Sequence, residues 1–425
     1  MATTTFEKDI RHSGEPYPSD AKRGSIYQII PPTERRLSAQ GRRISVVDDI
    51  FGEIKEGGPN YRNVGWLGTA VLMVKTQIGL GVLSIPSVLD TLGMGPGLVV
   101  LIVIGIITTW SNYIIGVFKK NHPSVYGIDD VGYKLFGKAG REFFAIVFVL
   151  FWIFVAGAVL TLTIAVGVQD KPAAAPPGPF KSNWKAVGHP TFESAISACS
   201  SIVFAWAGTP AFFQIASEMR VPELYTRSLL LCQSIVGVTY IVIGVVVYYY
   251  CGSFVASPAL GSAGVLLKKV CYGLALPGLC VSTLLFVHIA AKYVFVRMLR
   301  GSYHLTDPTF RHWATWLGCT AATTIISYVI ASAIPVFGGL VSLIGALLGT
   351  LMCFQPMGGM WLYDNWHNAR TGKWYAMVAW SSFVIVSGFF LMIGGTYGSV
   401  VDIKKSYAVS GGSSPWSCAD NSNSS

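Results

Sequence analysis

The first residue that points to chemistry is Lys75, which lies within the first long apolar segment, Val64 to Thr91. At a rise of about 1.5 Å per residue, about ten residues of helix reach the middle of a hydrocarbon core about 30 Å thick. An ammonium at that depth costs about 2.5 to 3.5 kcal/mol on insertion scales. A charge at that depth needs a reason, and Lys75 lies just before a glycine-interrupted stretch, where carbonyls freed from a helix could satisfy its ammonium.

Glycine and proline interrupt two of the apolar segments in a similar manner. The first segment carries Gly79, Gly81 and Pro86, and the fourth runs from Ser197 to Pro210 with Gly208 near its end. A broken membrane helix frees backbone N–H and C=O groups that hydrocarbon cannot satisfy but a bound polar solute can. The start of a half-helix favours a carboxylate, and the freed carbonyls favour an ammonium or a cation. The matched breaks therefore predict a transporter binding site, with kinks and close helix packing as the alternative.

Polar residues elsewhere in these segments allow two interpretations. Ser197, Ser201, Phe204 and Gly208 fall at helical spacing on one face of the fourth segment. They form either a polar and aromatic wall of the same site or a set of interhelical hydrogen bonds. His288 is the other ionisable group well inside a segment, and it is either a proton-coupling group or a hydrogen-bonded helix residue.

The elements that must position these residues are long apolar blocks in a chain of 425 residues, 52% hydrophobic and 12% charged. Blocks of this length predict transmembrane helices of about 20 residues, not the amphipathic helices of a soluble protein. We therefore predict an all-α polytopic membrane protein with discontinuous helices. Nine spans are expected, at about 64–92, 95–118, 142–168, 193–217, 227–251, 272–298, 312–334, 337–363 and 374–400.

The distribution of Lys and Arg predicts the orientation in the membrane. Residues 1–63 hold ten Lys or Arg, and the loops at 119–141 and 297–311 are also basic. By the positive-inside rule these three regions face the cytoplasm, and an odd number of spans puts the C-terminus outside. The net charge of +10 follows this topology, so we expect a lipid bilayer and no nucleic acid as its partner.

The two ends of the chain are polar. No apolar run follows Met1, so we expect no cleaved signal peptide. The composition predicts a disordered cytoplasmic tail at 1–63, a transmembrane domain at 64–400 and a disordered extracellular tail at 401–425.

Signatures of enzymes are missing from the sequence. It contains no P-loop, no HExxH motif and no pair of carboxylates within one span. We therefore expect neither catalysis nor a bound cofactor or metal.

Four long segments carry a family resemblance: Lys75 to Pro86, Val203 to Phe213, Val246 to Gly261 and Pro335 to Asn365. They resemble fungal neutral amino-acid permeases of the amino acid/auxin permease family, and the similarity covers roughly residues 45 to 405. The resemblance implies the inverted-repeat helix bundle of the amino acid–polyamine–organocation superfamily, with 11 helices of which the first and sixth are broken at the substrate site. It also implies proton-coupled import of neutral amino acids.

The resemblance further implies which residues meet the substrate. Backbone around Gly79 to Val82 would hold the substrate carboxylate, and Phe204 to Gly208 would line the pocket for the amino group and side chain. Lys75 would take the place of the cation in sodium-coupled relatives, so that coupling passes to protons. The expected substrate-binding residues are Thr76, Ile78, Gly79, Leu80, Gly81, Val82, Ser201, Phe204, Ala205, Trp206, Ala207 and Gly208, and the expected proton-coupling residues are Lys75 and His288.

The chain departs from the family in its number of spans. Only three spans precede the break in 193–217, where the family has five. The third span reads like the family's third helix joined near 156–160 to the end of its fifth. A splice variant, a faulty gene model and a divergent carrier all fit this pattern. We expect a proton-coupled symporter in a fungal plasma membrane, and a vacuolar location, a non-transporting receptor and a truncated product stay open as alternatives.

Overall fold

The structure is a computed structural model that describes residues 47–48, 52–53, 63–79, 81–168, 182–255, 259, 265–300, 302–305, 307–333 and 337–410. Side chains are described in these ranges except at 47–53, 154–168, 265–275, 277, 333, 337, 406–407 and 409–410. The helices are α1 (Trp66–Gln77), α2 (Gly81–Leu92), α3 (Met94–Asn121), α4 (Ile128–Val168), α5 (Phe192–Ala205), α6 (Thr209–Ser217), α7 (Tyr225–Cys251), α8 (Val265–Leu299), α9 (Phe310–Ala333), α10 (Phe337–Ile344), α11 (Thr350–Cys353), α12 (Gln355–Asn365) and α13 (Gly372–Ser410).

The first predicted span consists of two helices that meet at an angle. Helix α1 ends at Gln77 because Ile78 leaves the helical region, with φ −75° and ψ 87°. The amide of Gly79 turns back to the Gln77 carbonyl at 2.9 Å. Helix α2 then starts at Gly81, and the two helices are bent by 49° relative to each other. The break falls at the glycines that predicted it.

The second break interrupts the helix but, unlike the first, does not bend the span. Helix α5 ends at Ala205, the Ala207 amide donates to the Phe204 carbonyl at 3.0 Å, and α6 starts at Thr209. Gly208 keeps near-helical angles, φ −73° and ψ −16°. The chain therefore continues in one direction, and Phe192–Ser217 counts as one span.

The architecture is the predicted one, an all-α polytopic membrane protein. In the part of the chain that is described, seven segments are long and apolar enough to cross a membrane, and the bent α1–α2 pair makes an eighth. The remaining predicted span, 142–168, lies within α4. This helix runs for 41 residues and bends at Gly137, whose φ of 66° only glycine adopts without strain.

Regular structure also occurs in the regions predicted to be tails. Two short strands, β1 (Val47–Asp48) and β2 (Gly52–Glu53), pair antiparallel. Helix α13 continues to Ser410, beyond the predicted end of the last span, since residues 401–410 contain neither Pro nor Gly. The other residues of the two predicted tails that lie outside the described residues are 1–46, 49–51, 54–62 and 411–425.

The segment formed by α5 and α6 lies at the centre of the helix bundle. In its most apolar stretch 94% of the residues are buried, whereas in the corresponding stretch of α13 only 17% are buried. Helix α5 packs against α2, α10 and α13. The backbone of a π-helical turn, Gly345–Gly349, also approaches it closely, since a Cβ on Gly345 would lie 2.1 Å from the Ser200 carbonyl oxygen. The two broken spans are therefore held side by side in the core.

Candidate functional site

The two helix breaks touch each other through backbone. A Cβ built on Gly81, at the start of α2, would lie 2.4 Å from the Cα of Ala205 at the end of α5. A Cβ on Gly208 would lie 2.5 Å from Cγ of Gln77. Only glycine allows these approaches, because distances under 3 Å leave no space for a side chain. The freed backbone groups of both breaks are thereby brought to one place.

A small cavity lies where the breaks meet. Helices α1 and α2, the α4 span, α5 and α8 form its walls, and the space open to the centre of a water molecule is about 20 Å³. This space holds about one water. The site is therefore in a closed conformation, and an amino acid enters only if the walls move. The lining residues are Thr76, Gln77, Gly79, Gly81, Phe151, Trp152, Phe204, Ala207 and Phe286.

Two polar side chains in the wall of the cavity offer hydrogen-bond donors. The amide nitrogen of Gln77 and the indole N–H of Trp152 are buried, and neither finds an acceptor among the described residues. The backbone N–H groups in the first turn of α2, which starts at Gly81, also lack intrahelical partners. Donors without acceptors, at a helix N-terminus, make an environment that favours an anionic group such as a carboxylate.

The rest of the cavity wall is aromatic and uncharged. Trp152 and Phe286 lie with their ring centroids 5.3 Å apart, and Phe151 packs edge to face on Trp152 at 5.1 Å. Phe204 and Ala207 complete this side. None of the described residues that line the cavity carries a charge.

Helix α7 contacts both breaks through one side chain. The hydroxyl of the fully buried Tyr240 lies 2.6 Å from the Gln77 carbonyl and 2.6 Å from the Ala205 carbonyl. These residues are the last of α1 and of α5. Cys232, which lies about two helical turns before Tyr240 on α7, donates to the side-chain oxygen of Gln77 at 3.6 Å.

The expected substrate-binding residues divide into two groups. Those that line the cavity are Thr76, Gly79, Gly81, Phe204 and Ala207, and those that do not are Ile78, Val82, Ser201, Ala205, Trp206 and Gly208. Leu80 lies outside the described residues.

Two residues of the second group have other contacts. The Ser201 hydroxyl donates to its own helix at Ser197 O, at 3.3 Å. The Trp206 ring points away from the cavity and lines a groove between α3 and α7, where a Cβ on Gly105 would lie 2.9 Å from it.

The expected proton-coupling residues lie outside the cavity. Lys75 is partly buried, and its ammonium lies 3.4 Å from the Gly278 carbonyl of α8. His288 is exposed on α8 and does not line the cavity. Its ring contacts Trp316 of α9, with the two ring centroids 5.2 Å apart. Phe286, two residues before His288, is the α8 residue that reaches the cavity.

The ends of the spans that are predicted to face the cytoplasm are joined by hydrogen bonds and ion pairs. The backbone of Val64, before α1, pairs with Glu218 and Arg220 after α6, with N···O distances of 3.1 and 2.9 Å. The carboxylate of Glu218 accepts from Lys292 of α8. These contacts hold the start of α1, the end of α6 and α8 together at one end of the bundle.

A second cluster of charges joins α4 to α8 on the same side. Asp129 pairs with Arg141 at 3.6 Å and with Arg297 at 3.4 Å, and Asp130 pairs with Arg300 at 3.4 Å. Burial, and next the neighbouring Asp130, raises the pKa of Asp129 above its ordinary value of 3.8. The charged form of Asp129 is therefore held at a cost.

Sequence reasoning missed Gln77, Trp152, Phe286 and Tyr240. Gln77 gave one available signal, since it is an amide inside a span and directly before the first break. The others are aromatic residues in apolar segments, and only packing distinguishes them from neighbours of the same type.

Comparison with known proteins gives a consistent result. The family model described as transmembrane amino acid transporter protein matches residues 62–169 and 179–401. A protein named Transmembrane transporter from Gibberella moniliformis is 29% identical, with 88% of this chain and 91% of that protein covered. Another of that name, from Fusarium pseudograminearum, is 30% identical with 88% and 92% covered. The N amino acid transport system protein of Neurospora crassa is 30% identical with 86% and 91% covered.

The alignment with the Gibberella protein is longer than the whole chain. Its 438 positions contain 88% of 425 residues, about 374, so about 64 positions have no residue in this chain. Two membrane helices of about 20 residues with their loops have a length of this order. The matched segments of the family model are also interrupted at 170–178, directly after α4. The number of alignment positions without a residue agrees with the expected loss of about two helices, whereas 170–178 lies beyond the expected junction near 156–160.

Proposed function

The chain belongs to the family of transmembrane amino acid transporter proteins, and from this premise we propose that it carries neutral amino acids across the membrane by proton-coupled symport. Membership makes it an integral, multi-pass membrane protein that transports amino acids, and not an enzyme. The observation that carries the finer proposal is the cavity between the two breaks, with its unpaired donors beside an aromatic wall.

The substrate carboxylate is proposed to bind at the start of α2. Three kinds of donor belong to residues that line this cavity: the first backbone N–H groups of α2 from Gly81, the amide nitrogen of Gln77 and the indole N–H of Trp152. Hydrogen bonds to a carboxylate are about twice as strong as those between neutral groups, and a low-dielectric site strengthens them further. A carboxylate would satisfy donors that are otherwise left unpaired at a cost.

We propose the preference for a neutral substrate side chain from the aromatic wall of the cavity. Phe151, Phe204 and Phe286 offer apolar surface, and no described lining residue could pair with a charged substrate side chain. An unpaired charge buried there would cost several kcal/mol, on the order of the desolvation penalties of buried ions. An apolar side chain would instead gain roughly 25 cal/mol for each Å² that it buries.

Lys75 is the proposed coupling group. It lies on the last turn of α1, and its ammonium reaches the Gly278 carbonyl of α8. A protonated Lys75 thus links the broken span to α8 by a charge-assisted contact, and loss of the proton weakens that link. We infer that this ammonium substitutes for a metal cation beside the break, which makes the proton the driving ion. His288 contacts Trp316 on the α9 side and is not needed in this scheme.

The proposed location is the plasma membrane of a fungal cell, with the N-terminus in the cytoplasm. The fungal relatives and the excess of Lys and Arg before the first span support it. Fluorescence of a tagged chain distinguishes the plasma membrane from the vacuolar membrane. An N-terminal epitope that is accessible only after the cells are permeabilised is the expected orientation result.

Uptake of a labelled neutral amino acid into proteoliposomes tests the function. We expect accumulation above the outside concentration when the outside is acidic, and its loss when a protonophore is added. Lys75→Ala should abolish this uphill accumulation but leave binding measurable by thermal stabilisation. Lys373→Ala, which removes an exposed lysine of α13, is the matched control and should behave as the wild type. Unchanged uphill uptake by Lys75→Ala would reject the coupling role.

The second candidate is a non-transporting membrane protein, either an amino-acid receptor or a truncated product. The alignment positions without a residue in this chain favour it. Thermal stabilisation by neutral amino acids without any uptake would support a receptor. Neither stabilisation nor uptake would support a truncated product.

A further inference from the structure

We propose that Tyr240 is a positioning residue that holds both helix breaks through a single hydroxyl group. Its hydroxyl is 2.6 Å from the carbonyl that ends α1 and 2.6 Å from the carbonyl that ends α5, at Gln77 and Ala205. Both distances are within the range of O–H···O hydrogen bonds. The inference rests on this geometry alone and holds for any solute that the cavity takes.

The two carbonyls need such a partner because of where they lie. The last C=O groups of a helix have no intrahelical donor, and in hydrocarbon no water replaces it. A buried carbonyl left unsatisfied costs about 1 to 3 kcal/mol. Tyr240 is fully buried on α7, so it supplies a donor at the one point where the two helix ends are close enough to share it.

The ring of Tyr240 is fixed in place by Trp206, which belongs to the second break. The two rings contact edge to face with centroids 5.1 Å apart. Trp206 in turn is packed against two glycines, since Cβ atoms on Gly105 and Gly237 would lie 2.9 and 3.7 Å from its ring. The hydroxyl therefore cannot follow one helix end away from the other without displacing this packing.

One hydroxyl has one proton, so it donates fully to only one of the two carbonyls at a time. The Gln77 carbonyl also accepts from the Gly79 amide at 2.9 Å, so Gln77 and Ala205 share the Tyr240 proton, which passes between them. Gly79 lines the cavity. When a solute draws the Gly79 amide away, Gln77 needs the Tyr240 proton and Ala205 loses it. Occupation of the first break is thereby transmitted to the second.

Hydrogen exchange of backbone amides in lipid nanodiscs tests the proposal with Tyr240→Phe, which keeps the ring and removes the hydroxyl. We expect exchange to rise about tenfold at both 78–82 and 206–209, the change for a lost buried hydrogen bond. Ser228→Ala is the matched control, because it removes another α7 hydroxyl that donates to α1, at the Trp66 carbonyl at 2.7 Å. That variant should leave both breaks unchanged.

The proposal is overturned if Tyr240→Phe alters neither break or only one, or if Ser228→Ala has the same effect. The wild type gives an independent test that does not depend on how the variant folds. Because one hydroxyl holds both ends, the two segments should open together and exchange with similar protection. Protection that differs by more than about tenfold between the segments would contradict the shared donor.

Discussion

Gly81 and Ala205 are in backbone contact across the two broken spans. A methyl group on Gly81 would lie 2.4 Å from the Ala205 Cα and 2.8 Å from its Cβ. The backbone at the start of α2 therefore packs directly against the end of α5, with no space for a side chain on Gly81. Residues on both sides of this contact line the cavity, so the size of the cavity depends on how closely the two helix ends approach.

Replacing Gly81 by alanine should push the two breaks apart. Overpacking at a rigid backbone contact costs about 1 to 3 kcal/mol, and displaced donors would no longer converge on a substrate. We expect a lower thermal stability in detergent and a loss of uptake. Gly318→Ala is the control, since nothing lies within 4 Å of a Cβ there. It should be neutral or stabilising by up to about 1 kcal/mol, and equal behaviour of the two variants would refute the interpretation.

Replacing Trp152 by phenylalanine should weaken recognition of the substrate carboxylate and leave the other contacts of the substrate unchanged. The variant keeps a ring against Phe286 and loses the unpaired indole N–H. A hydrogen bond to a charged group contributes about 1.5 to 3 kcal/mol, so KM for a neutral amino acid should rise at least tenfold. Competition by the corresponding amino amide, which has no carboxylate, should change little. Trp380→Phe on α13 is the control, and equal losses for acid and amide would disprove carboxylate binding.

The pair of Glu218 and Lys292 should hold the end of α6 against α8. Their side chains are 22% and 18% exposed, which places the pair between surface and buried ion pairs. Glu218→Lys and Lys292→Glu should each lower the free energy of unfolding by about 1 to 3 kcal/mol. The double variant, with the charges exchanged, should recover much of that loss. Thermal unfolding of the four proteins measures the coupling, and additive losses would show that the pair is not coupled.

Asp129 should make stability depend on pH. Burial raises its folded pKa, so the folded state binds the proton more tightly than the unfolded chain. Its contribution to stability is complete below the ordinary pKa of 3.8 and is lost as pH rises through the raised value. The wild type should therefore lose more stability than Asp129→Asn as the pH rises above 3.8. Glu223→Gln, at an exposed carboxylate, is the control, and parallel curves for wild type and Asp129→Asn would exclude the effect.

Features that depend on local sequence could be predicted. Apolar blocks of sufficient length predicted the spans, because burial of a membrane helix requires only a run of apolar residues. Gly79 and Gly81 predicted the first break, since glycine tolerates the backbone angles and the close contacts found there. The second break was predicted at the correct place, but its near-helical angles were not, because they depend on packing against α1.

Features that depend on contacts between spans could not be predicted. Tyr240 and Tyr248 are both buried tyrosines of α7, yet one hydroxyl contacts two helix ends and the other accepts from the Lys185 amide. No local pattern separates them. Trp206 lies in the expected segment but faces α3, because helical periodicity does not determine side-chain directions within a break.

Helix α4 has a consequence for the bilayer around the protein. From Phe143 to Val168 its apolar part rises roughly 39 Å, against about 30 Å for an average hydrocarbon core. Such a hydrophobic mismatch is relieved by tilt or by local thickening of the lipid, each at a fraction of a kcal/mol per Å. The length of this one helix therefore imposes a tilt or a local thickening that the neighbouring helices and the surrounding lipid must accommodate.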